Sequence, residues 1–376
     1  MKQINKVLKI GFIGGAINST IGSTHIKAIN LSRNLSIDCA FFSRNKKINI
    51  SSAKKYNLKL NKLYSSAEQL IKKEKDTLDA VVVLTPPNAR YKIIKFLVEY
   101  NIPVICEKPL CSDLLTSKKI HKLVQNKKLF FTSTYNYIGY PAIREIKDLI
   151  NKKFLGDIIS FNFEMLQQTY VYSKSKITKW RTKDYSIPTL YLDLCSHLVN
   201  ISKFLFNDYP YNVMSFSTKN KKFKVVDNVY AWLKFKNNMQ GTFWFSKNSL
   251  GQRNGLKLRI YGTSSSLEWN HAQPENITIF HKDGKIETLD RLSPKIYSLK
   301  KQKYFTYSAG HPNGFLDAFS NVYSDIYDEL INYKSSKKIN YRYLVDIKEN
   351  TNIILILDAI KKSSKNNTWI KTKLIK

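Results

Sequence analysis

The chain is short of acids. It carries 28 aspartates and glutamates against 62 lysines and arginines, for a formal net charge of +34. Such a surplus raises the question of an anionic partner: nucleic acid, a membrane surface or a phosphorylated ligand. Zinc-finger, basic-zipper and RNA-recognition patterns are all absent. The lysines are scattered, and Lys, Asn, Ile and Tyr are abundant throughout. The charge therefore reads as compositional bias of the kind an AT-rich genome imposes, and nucleic acid is not an expected partner. A positive field would still draw in a phosphorylated substrate.

Long hydrophobic runs are missing too. No stretch approaches the ~20 apolar residues of a membrane-spanning helix, and Met1 to Lys9 is too short and polar to serve as a signal peptide. A cytoplasmic protein without a membrane partner is expected. Cysteine is scarce: Cys39, Cys106, Cys111 and Cys195 form no C-x-x-C pair and no zinc-ligand spacing, so no metal site is expected. They read as small buried hydrophobes in a reducing compartment. Internal repeats and a disordered linker are also absent.

What is present is enough apolar residue for a folded core, 43% of the chain, over a length of 376 residues that suits two domains. Up to Ser133, strand-like and helix-like stretches alternate. Strands are expected at Val7–Ile13, Ile37–Phe42, Leu78–Leu84, Ile102–Cys106 and Leu129–Ser133. Helices are expected at Ser23–Arg33, Ala67–Lys73, Arg90–Tyr100 and Ser112–Gln125, with Ser112 as a cap. The β-branched run Leu78–Leu84 suits a strand buried on both faces of a parallel sheet. This rhythm predicts a doubly wound α/β domain over 1–133.

From 134 to 376 the pattern changes. Helices are expected at Ala142–Lys152, Thr189–Leu205, Phe315–Leu330 and Asp346–Lys362. Between them, alternating stretches at Ile158–Met165, Asn212–Ser217, Val229–Lys236, Gln240–Ser246, Lys257–Tyr261, Ser266–Trp269 and Ile277–Phe280 predict a largely antiparallel sheet. The fold class is α/β, a Rossmann domain followed by an α/β domain with a large, mainly antiparallel open sheet.

Three features carry chemistry. The first strand runs into Gly11, Gly14, Gly15 and Ala16, followed by Gly22. A strict G-x-G-x-x-G is absent, and glycines after a strand often mark an ordinary turn. With a strand before and a helix after, they suit a backbone that approaches a pyrophosphate. Glu107-Lys108-Pro109 ends the apolar run Ile102–Cys106, so Lys108 stands at the C-terminal edge of a strand, where open α/β sheets hold ligands. Asp193 and His197 are four apart and share a helix face. They are either a helix-surface ion pair or a carboxylate that orients a proton-transferring imidazole. Turn, lysine and Asp/His pair together describe a nicotinamide-dependent dehydrogenase.

The second strand bears on the cofactor. It ends in Ser43, Arg44, Asn45, Lys46 and Lys47, with no acid to bind a ribose 2′-OH, and Asp38 sits too early to reach. Either Arg44 and Lys46 are solvated surface charges, or the loop receives a 2′-phosphate. NADP is the preferred expectation, with NAD possible.

These motifs resemble those of the glucose–fructose oxidoreductase / inositol dehydrogenase / rhizopine catabolism (Gfo/Idh/MocA) family, over nearly the whole chain. Gly11–Gly22 resembles its cofactor turn, and Thr85, Pro86, Pro87 and Asn88 its nicotinamide-side loop. Glu107-Lys108-Pro109 resembles its E-K-P motif, and Asp193-x-x-x-His197 its catalytic pair. Asn136 to Pro141, Trp180-Arg181-Thr182 and Gly310-His311-Pro312 resemble a bacterial subgroup of sugar and polyol dehydrogenases. Tyr91 stands where the family often has histidine, and Asn313 where the subgroup tends to have an acid.

The resemblance implies hydride transfer between a nicotinamide and a ring hydroxyl or ketone of a sugar, sugar derivative or cyclitol. It implies His197 as the base, Asp193 as its orienting group and Lys108 as the donor to the reacting oxygen. Thr85, Pro86, Asn88, Glu107 and Lys108 would border the cofactor. Lys108, Asn136, Tyr137, Trp180, Arg181, His197 and His311 are the substrate candidates. A homodimer or homotetramer built on the open sheet is implied as well. Two rivals stand beside this reading. One is a carbon-3 dehydrogenase of a glycoside or nucleotide sugar. The other is a catalytically silent dinucleotide-binding sensor or scaffold, against which intact Lys108, Asp193 and His197 argue.

Overall fold

The computed structural model describes residues 6–32, 34–172, 177–305 and 307–375. They form two compact units: Met1–Gly139 with Phe315–Thr351, and Tyr140–Gly314 with Asn352–Lys376.

The first unit opens with β1 (Leu8–Gly14), α1 (Gly22–Ser32), β2 (Leu35–Phe41), α2 (Lys46–Lys55) and α3 (Ala67–Glu74). It continues with β3 (Ala80–Leu84), α4 (Arg90–Glu99), β4 (Val104–Cys106), α5 (Leu114–Lys127) and β5 (Phe131–Ser133). The strands make one parallel sheet in the order β2-β1-β3-β4-β5. β3 is buried at every position, as a strand covered on both faces must be. The strand order reverses beside β1, which puts the switch point between the C-terminal ends of β1 and β3. Open α/β sheets bind ligands there.

Two expectations need correction here. Lys46 and Lys47 open a helix, α2, rather than continuing the loop of Ser43 and Arg44. Asn45 caps α2 by accepting from the Ile48 amide at 3.1 Å, and a short polar helix without a strong apolar rhythm left little sign of itself in the sequence. The cap of α5 is Asp113, not Ser112: its carboxylate accepts from Thr116 N at 2.8 Å. Asp113 is the residue with extended backbone directly before the first helical residue, which is where a cap must sit. Arg33, the expected last residue of the first helix, lies outside the described residues.

The second unit begins with α6 (Pro141–Asn151) and β6 (Ile158–Leu166). A π-helical turn, Tyr191–Cys195, then leads into α7 (Ser196–Phe206). Seven strands follow: β7 (Asn212–Lys219), β8 (Val226–Lys234), β9 (Gln240–Ser246), β10 (Gly255–Gly262), β11 (Ser265–Asn270), β12 (Ile277–His281) and β13 (Ile286–Leu289). Among the described residues these and β6 join a last short strand, β14 (Ile370–Lys371), in a nine-stranded sheet, β13-β12-β11-β10-β6-β9-β8-β7-β14, in which only β6 and β9 run parallel. Along β8, Val229, Ala231 and Leu233 turn inward while Tyr230 and Trp232 are exposed. That alternation marks a sheet with one covered and one open face. β13 and β14 were too short and polar to be read from sequence.

The chain then returns. α8 (Phe315–Lys334) belongs to the first unit, so a single break at 133/134 does not describe the molecule. The reason is its apolar stripe. Phe319, Val322, Tyr323, Ile326 and Leu330 recur at helical spacing and join the core formed by Leu8, Ile10, Phe12, Val82 and Ile105. Each large apolar side chain so buried contributes roughly 1.5–3 kcal/mol, far more than any linker composition could signal. α9 (Ile347–Asn366) and β14 (Ile370–Lys371) end the chain.

Candidate active site

In the first unit the site is assembled at the ends of β1, β3 and β4. Gly14 and Gly15 adopt φ of 89° and 80°, the left-handed region that glycine tolerates. A Cβ on Gly22 would lie 2.2 Å from the Gly15 carbonyl oxygen, so α1 can begin against the turn only with glycine there. The Ser19 hydroxyl accepts from the amides of Ile21 and Gly22 at 3.4 and 3.2 Å, and Ile17 N donates to Ser52 on α2 at 3.1 Å. A tight glycine turn running into an eleven-residue helix is a cradle for an anion. Ala16 is buried in this turn. Gly11 lies deeper, inside β1, where a side chain would strike Leu78 at 2.8 Å. It makes room for packing beneath the turn.

The end of β2 is anchored from α2. The Asn49 side chain accepts from Phe42 N at 2.8 Å and Ser43 N at 3.1 Å, and donates to Tyr64 O at 2.8 Å. Arg44 is exposed. Asp38, inside β2, is paired with Lys62 at 3.1 Å, so no carboxylate stands at the end of this strand.

Arg90, which the sequence reading passed over, binds the two remaining loops together. It is buried, its Nε donates to Thr85 O at 2.7 Å, and its Nη1 donates to the carbonyls of Glu107 and Pro109. Thr85 is thereby tied through Arg90 to the residues on either side of the half-buried Lys108, whose bond to Pro109 is cis; Pro86 and Asn88 are exposed. Glu107 turns inward to His25 and Thr134. Burial opposes its ionisation, but the hydrogen bond and charge of His25, the charge of Lys108 and the Thr134 hydroxyl outweigh it. They hold its carboxyl below the usual range.

A nicotinamide nucleotide fits these residues. The Thr85 hydroxyl and the Asn136 Nδ2 are buried without a hydrogen-bond partner among the described residues. Buried polar atoms of this kind call for a ligand or water. Asn136 and Tyr137 lie in a buried 3-10 turn, Asn136–Gly139, of the first unit.

In the second unit, Asp193 lies on the π-helical turn and His197 in the first turn of α7, both buried. One continuous helix over 189–205 was expected; the wider turn interrupts it, a departure that often marks functional positions. Asp193 is held by two cations. Arg181 Nε is 3.0 Å from its Oδ2, and Lys247 Nζ bonds the same oxygen. Arg181 also stacks on Trp180, with its guanidinium 4.6 Å from the ring centroid. The Tyr170 hydroxyl donates to Arg181 O at 2.6 Å. Burial, then the charge of Asp193, pushes that phenol well above its ordinary pKa, so it stays protonated. Lys247, just past β9 and almost without exposure, was not foreseen: nothing near it in sequence marks it. His311 is exposed, and its carbonyl accepts from Arg291 at 2.6 Å. The Asn313 amide donates to Glu275 at 3.0 Å.

A doubly wound parallel sheet with a glycine turn at its switch point, joined to a unit with a large open sheet, defines a two-unit dinucleotide-binding oxidoreductase. Residues 8–135 match the NAD-binding Rossmann fold of the Gfo/Idh/MocA oxidoreductase family, and residues 147–372 match its C-terminal alpha/beta domain. The chain belongs to that family. Among curated relatives, it is 24% identical over 341 residues to the uncharacterized oxidoreductase YfiI of Bacillus subtilis (strain 168), covering 85% of this chain and 84% of that one. Its fold is similar to an inositol dehydrogenase homolog from Azotobacter vinelandii, solved with NADH and myo-inositol. The TM-score is 0.88 at 20% identity, over 97% of this chain and 98% of the other. A levoglucosan dehydrogenase solved with NADH and levoglucosan gives a TM-score of 0.84 at 19% identity, over 97% and 99% of the two chains. No helix among the described residues is long and apolar enough to cross a membrane.

Proposed function

We propose that this protein oxidises a ring hydroxyl of a sugar, sugar derivative or cyclitol, or reduces the matching ketone, with NADP(H) preferred to NAD(H). The observation that carries the reading is Lys108, fixed at the end of β4 by its neighbours' bonds to Arg90, which also binds the carbonyl of Thr85, whose hydroxyl is orphaned. The substrates named for the two solved relatives support the substrate class.

The bound cofactor supplies the hydride acceptor or donor. The glycine turn and the N-terminus of α1 hold its pyrophosphate, with Gly14, Gly15 and Gly22 leaving the backbone accessible. Ser43 and Arg44 receive the 2′-phosphate. His197 takes the hydroxyl proton as hydride leaves and returns it in reduction. Lys108 donates a hydrogen bond to the reacting oxygen and stabilises its developing charge. Asp193 steadies the turn that presents His197, and Asn136, Tyr137, Trp180, Arg181 and His311 are the candidates for substrate contacts. The protein works in the cytoplasm as a homodimer or homotetramer.

The test is a panel of sugars, cyclitols, glycosides and sugar phosphates, each assayed by nicotinamide absorbance with both cofactors. Turnover is expected with at least one ring polyol. Lys108→Ala should lower kcat about a hundredfold, roughly 3 kcal/mol of transition-state stabilisation, with cofactor affinity changed only a few fold. His197→Asn should lose ~10²–10⁴ in rate near neutral pH and regain part of it as pH rises. A protein that binds cofactor yet turns over nothing would favour the sensor reading.

A further inference from the structure

A buried ionisable pair lies directly beneath the loop that carries Lys108, and the reaction as derived so far does not use it. His25 is on α1, one turn beyond Gly22, and has no solvent exposure. Its Nε2 is 3.2 Å from Glu107 Oε2, and its Nδ1 is 2.6 Å from the Tyr323 hydroxyl on α8. The Thr134 hydroxyl donates to the same Glu107 oxygen at 2.5 Å. The imidazole is packed edge-on against the rings of Phe319 and Tyr323, with centroids 5.0 and 5.9 Å away. It has no room to turn.

This arrangement has one consistent hydrogen-bond assignment at its centre. Nε2–H donates to the Glu107 carboxylate whether the ring is neutral or charged. Nδ1 then accepts from the Tyr323 hydroxyl in the neutral ring and donates to it in the imidazolium. Glu107 is held at its backbone as well: its amide donates to Val83 O at 3.0 Å, and its carbonyl accepts from Arg90. The residue before Lys108 is therefore fixed by its side chain from α1 and β5's end, and by its main chain from β3 and α4. A carboxylate so deeply buried stays ionised only while hydrogen-bonded donors and positive charge accompany it.

We propose that His25 is a positioning residue for the reaction: through the Glu107 carboxylate it ties α1, on whose first turn the dinucleotide sits, to the backbone that presents Lys108. The inference rests on the reading of Lys108 given under Proposed function. Its consequence is that cofactor docking and lysine placement are one mechanical unit. Loss of the His25–Glu107 bond leaves the cofactor bound but the lysine misplaced, and a misplacement of about 1 Å costs roughly a hundredfold in rate.

The groups facing Glu107 are His25 from α1, Tyr323 from α8, Arg90 from α4, and its neighbours Cys106 and Lys108. Of these, His25 contributes the hydrogen bond and charge that do most to offset burial at Glu107. Without it, burial wins and the carboxyl takes up its proton at higher pH. The acid limb of the kcat profile should then move to higher pH.

Three measurements test this on the full-length protein. They are kcat against pH with a substrate found by the panel, NADPH affinity by fluorescence titration, and amide hydrogen exchange over residues 104–108. His25→Leu should lower kcat roughly a hundredfold, leave NADPH affinity within a few fold, shift the acid limb upward and speed exchange at Glu107 and Lys108. His25→Gln, whose amide can stand where Nε2–H stands, should recover most of the loss. Equal loss in both variants with an unmoved acid limb would mean that His25 only fills space, and would overturn the proposal. So would a well-folded His25→Leu that behaves as wild type. Should His25→Leu fail to fold, Thr134→Val and Tyr323→Phe keep the packing. Each should shift the acid limb the same way by a smaller amount, and no shift in either overturns the idea. Failure of the underlying reading looks different: Lys108→Ala would then retain its turnover, and the exchange data alone would decide whether His25 fixes the loop.

Discussion

Lys247 carries an ammonium into a place with almost no solvent. Its side chain is 1% exposed, and its charge is met by Asp193, which also pairs with Arg181. A charge in such a site is tolerable only while its partner stays ionised. This changes what a substitution at Asp193 measures. If the carboxylate served only the imidazole, Asp193→Asn would be a mild catalytic defect. With Lys247 bonded to it, the same change takes a charged partner away from a buried ammonium, and breaking a buried pair typically costs about 3–5 kcal/mol. We expect Asp193→Asn to lower the urea midpoint markedly, and Asp193→Asn combined with Lys247→Met to recover much of that loss. Comparison of denaturation curves for wild type, both single variants and the double variant checks it. An Asp193→Asn protein as stable as wild type would show that the pair is not what holds this turn.

At the scale of elements, α2 and the glycine turn act as one support. The first residues of α2, Lys46 and Lys47, read in sequence as the end of a loop because the helix has few apolar positions, yet it places Ser52 on Ile17 and Asn49 on the end of β2. The residue that follows Ser43 is then an exposed arginine, with no acid among the first residues of α2. A 2′-phosphate there would gain a charge-assisted hydrogen bond worth ~1.5–3 kcal/mol. NADPH should accordingly bind roughly tenfold to a hundredfold more tightly than NADH, and Arg44→Ala should remove most of that difference while leaving NADH affinity almost unchanged. Titration of both nucleotides against protein fluorescence reads this directly. Tighter NADH binding by the wild type would mean that Arg44 points to solvent in the complex.

At the scale of the whole molecule, the nine-stranded sheet leaves one face open. Phe216, Tyr230 and Trp232 are 43%, 45% and 47% exposed on adjacent strands, and Tyr230 stacks on Trp244 with centroids 5.2 Å apart. Contiguous aromatic surface of this kind is costly to leave in water and marks an interaction face. We expect the purified protein to be a dimer or tetramer by light scattering, and Tyr230→Glu with Trp232→Glu to give a folded monomer. A wild-type monomer at micromolar concentration would rule out this use of the face.

Much of the protein was legible in its sequence, for a local reason. The buried run of β3, the glycines after β1, Lys108 at the end of β4, and the alternation along β8 are each written within a few neighbouring residues. Backbone sterics and burial act over that same distance. Tertiary structure decided the rest. α8 joins the first unit because its apolar stripe finds the core of β1 and β3, although it follows the second unit in the chain. Lys247 meets Asp193 across 54 residues, and Glu107 meets His25 across 82. A lone lysine or histidine looks alike in sequence whether it is solvated or buried against a carboxylate. The fold alone brings such distant charges together, and burial then gives the contact its consequence, because an ion pair that water would screen becomes one that neither partner can leave.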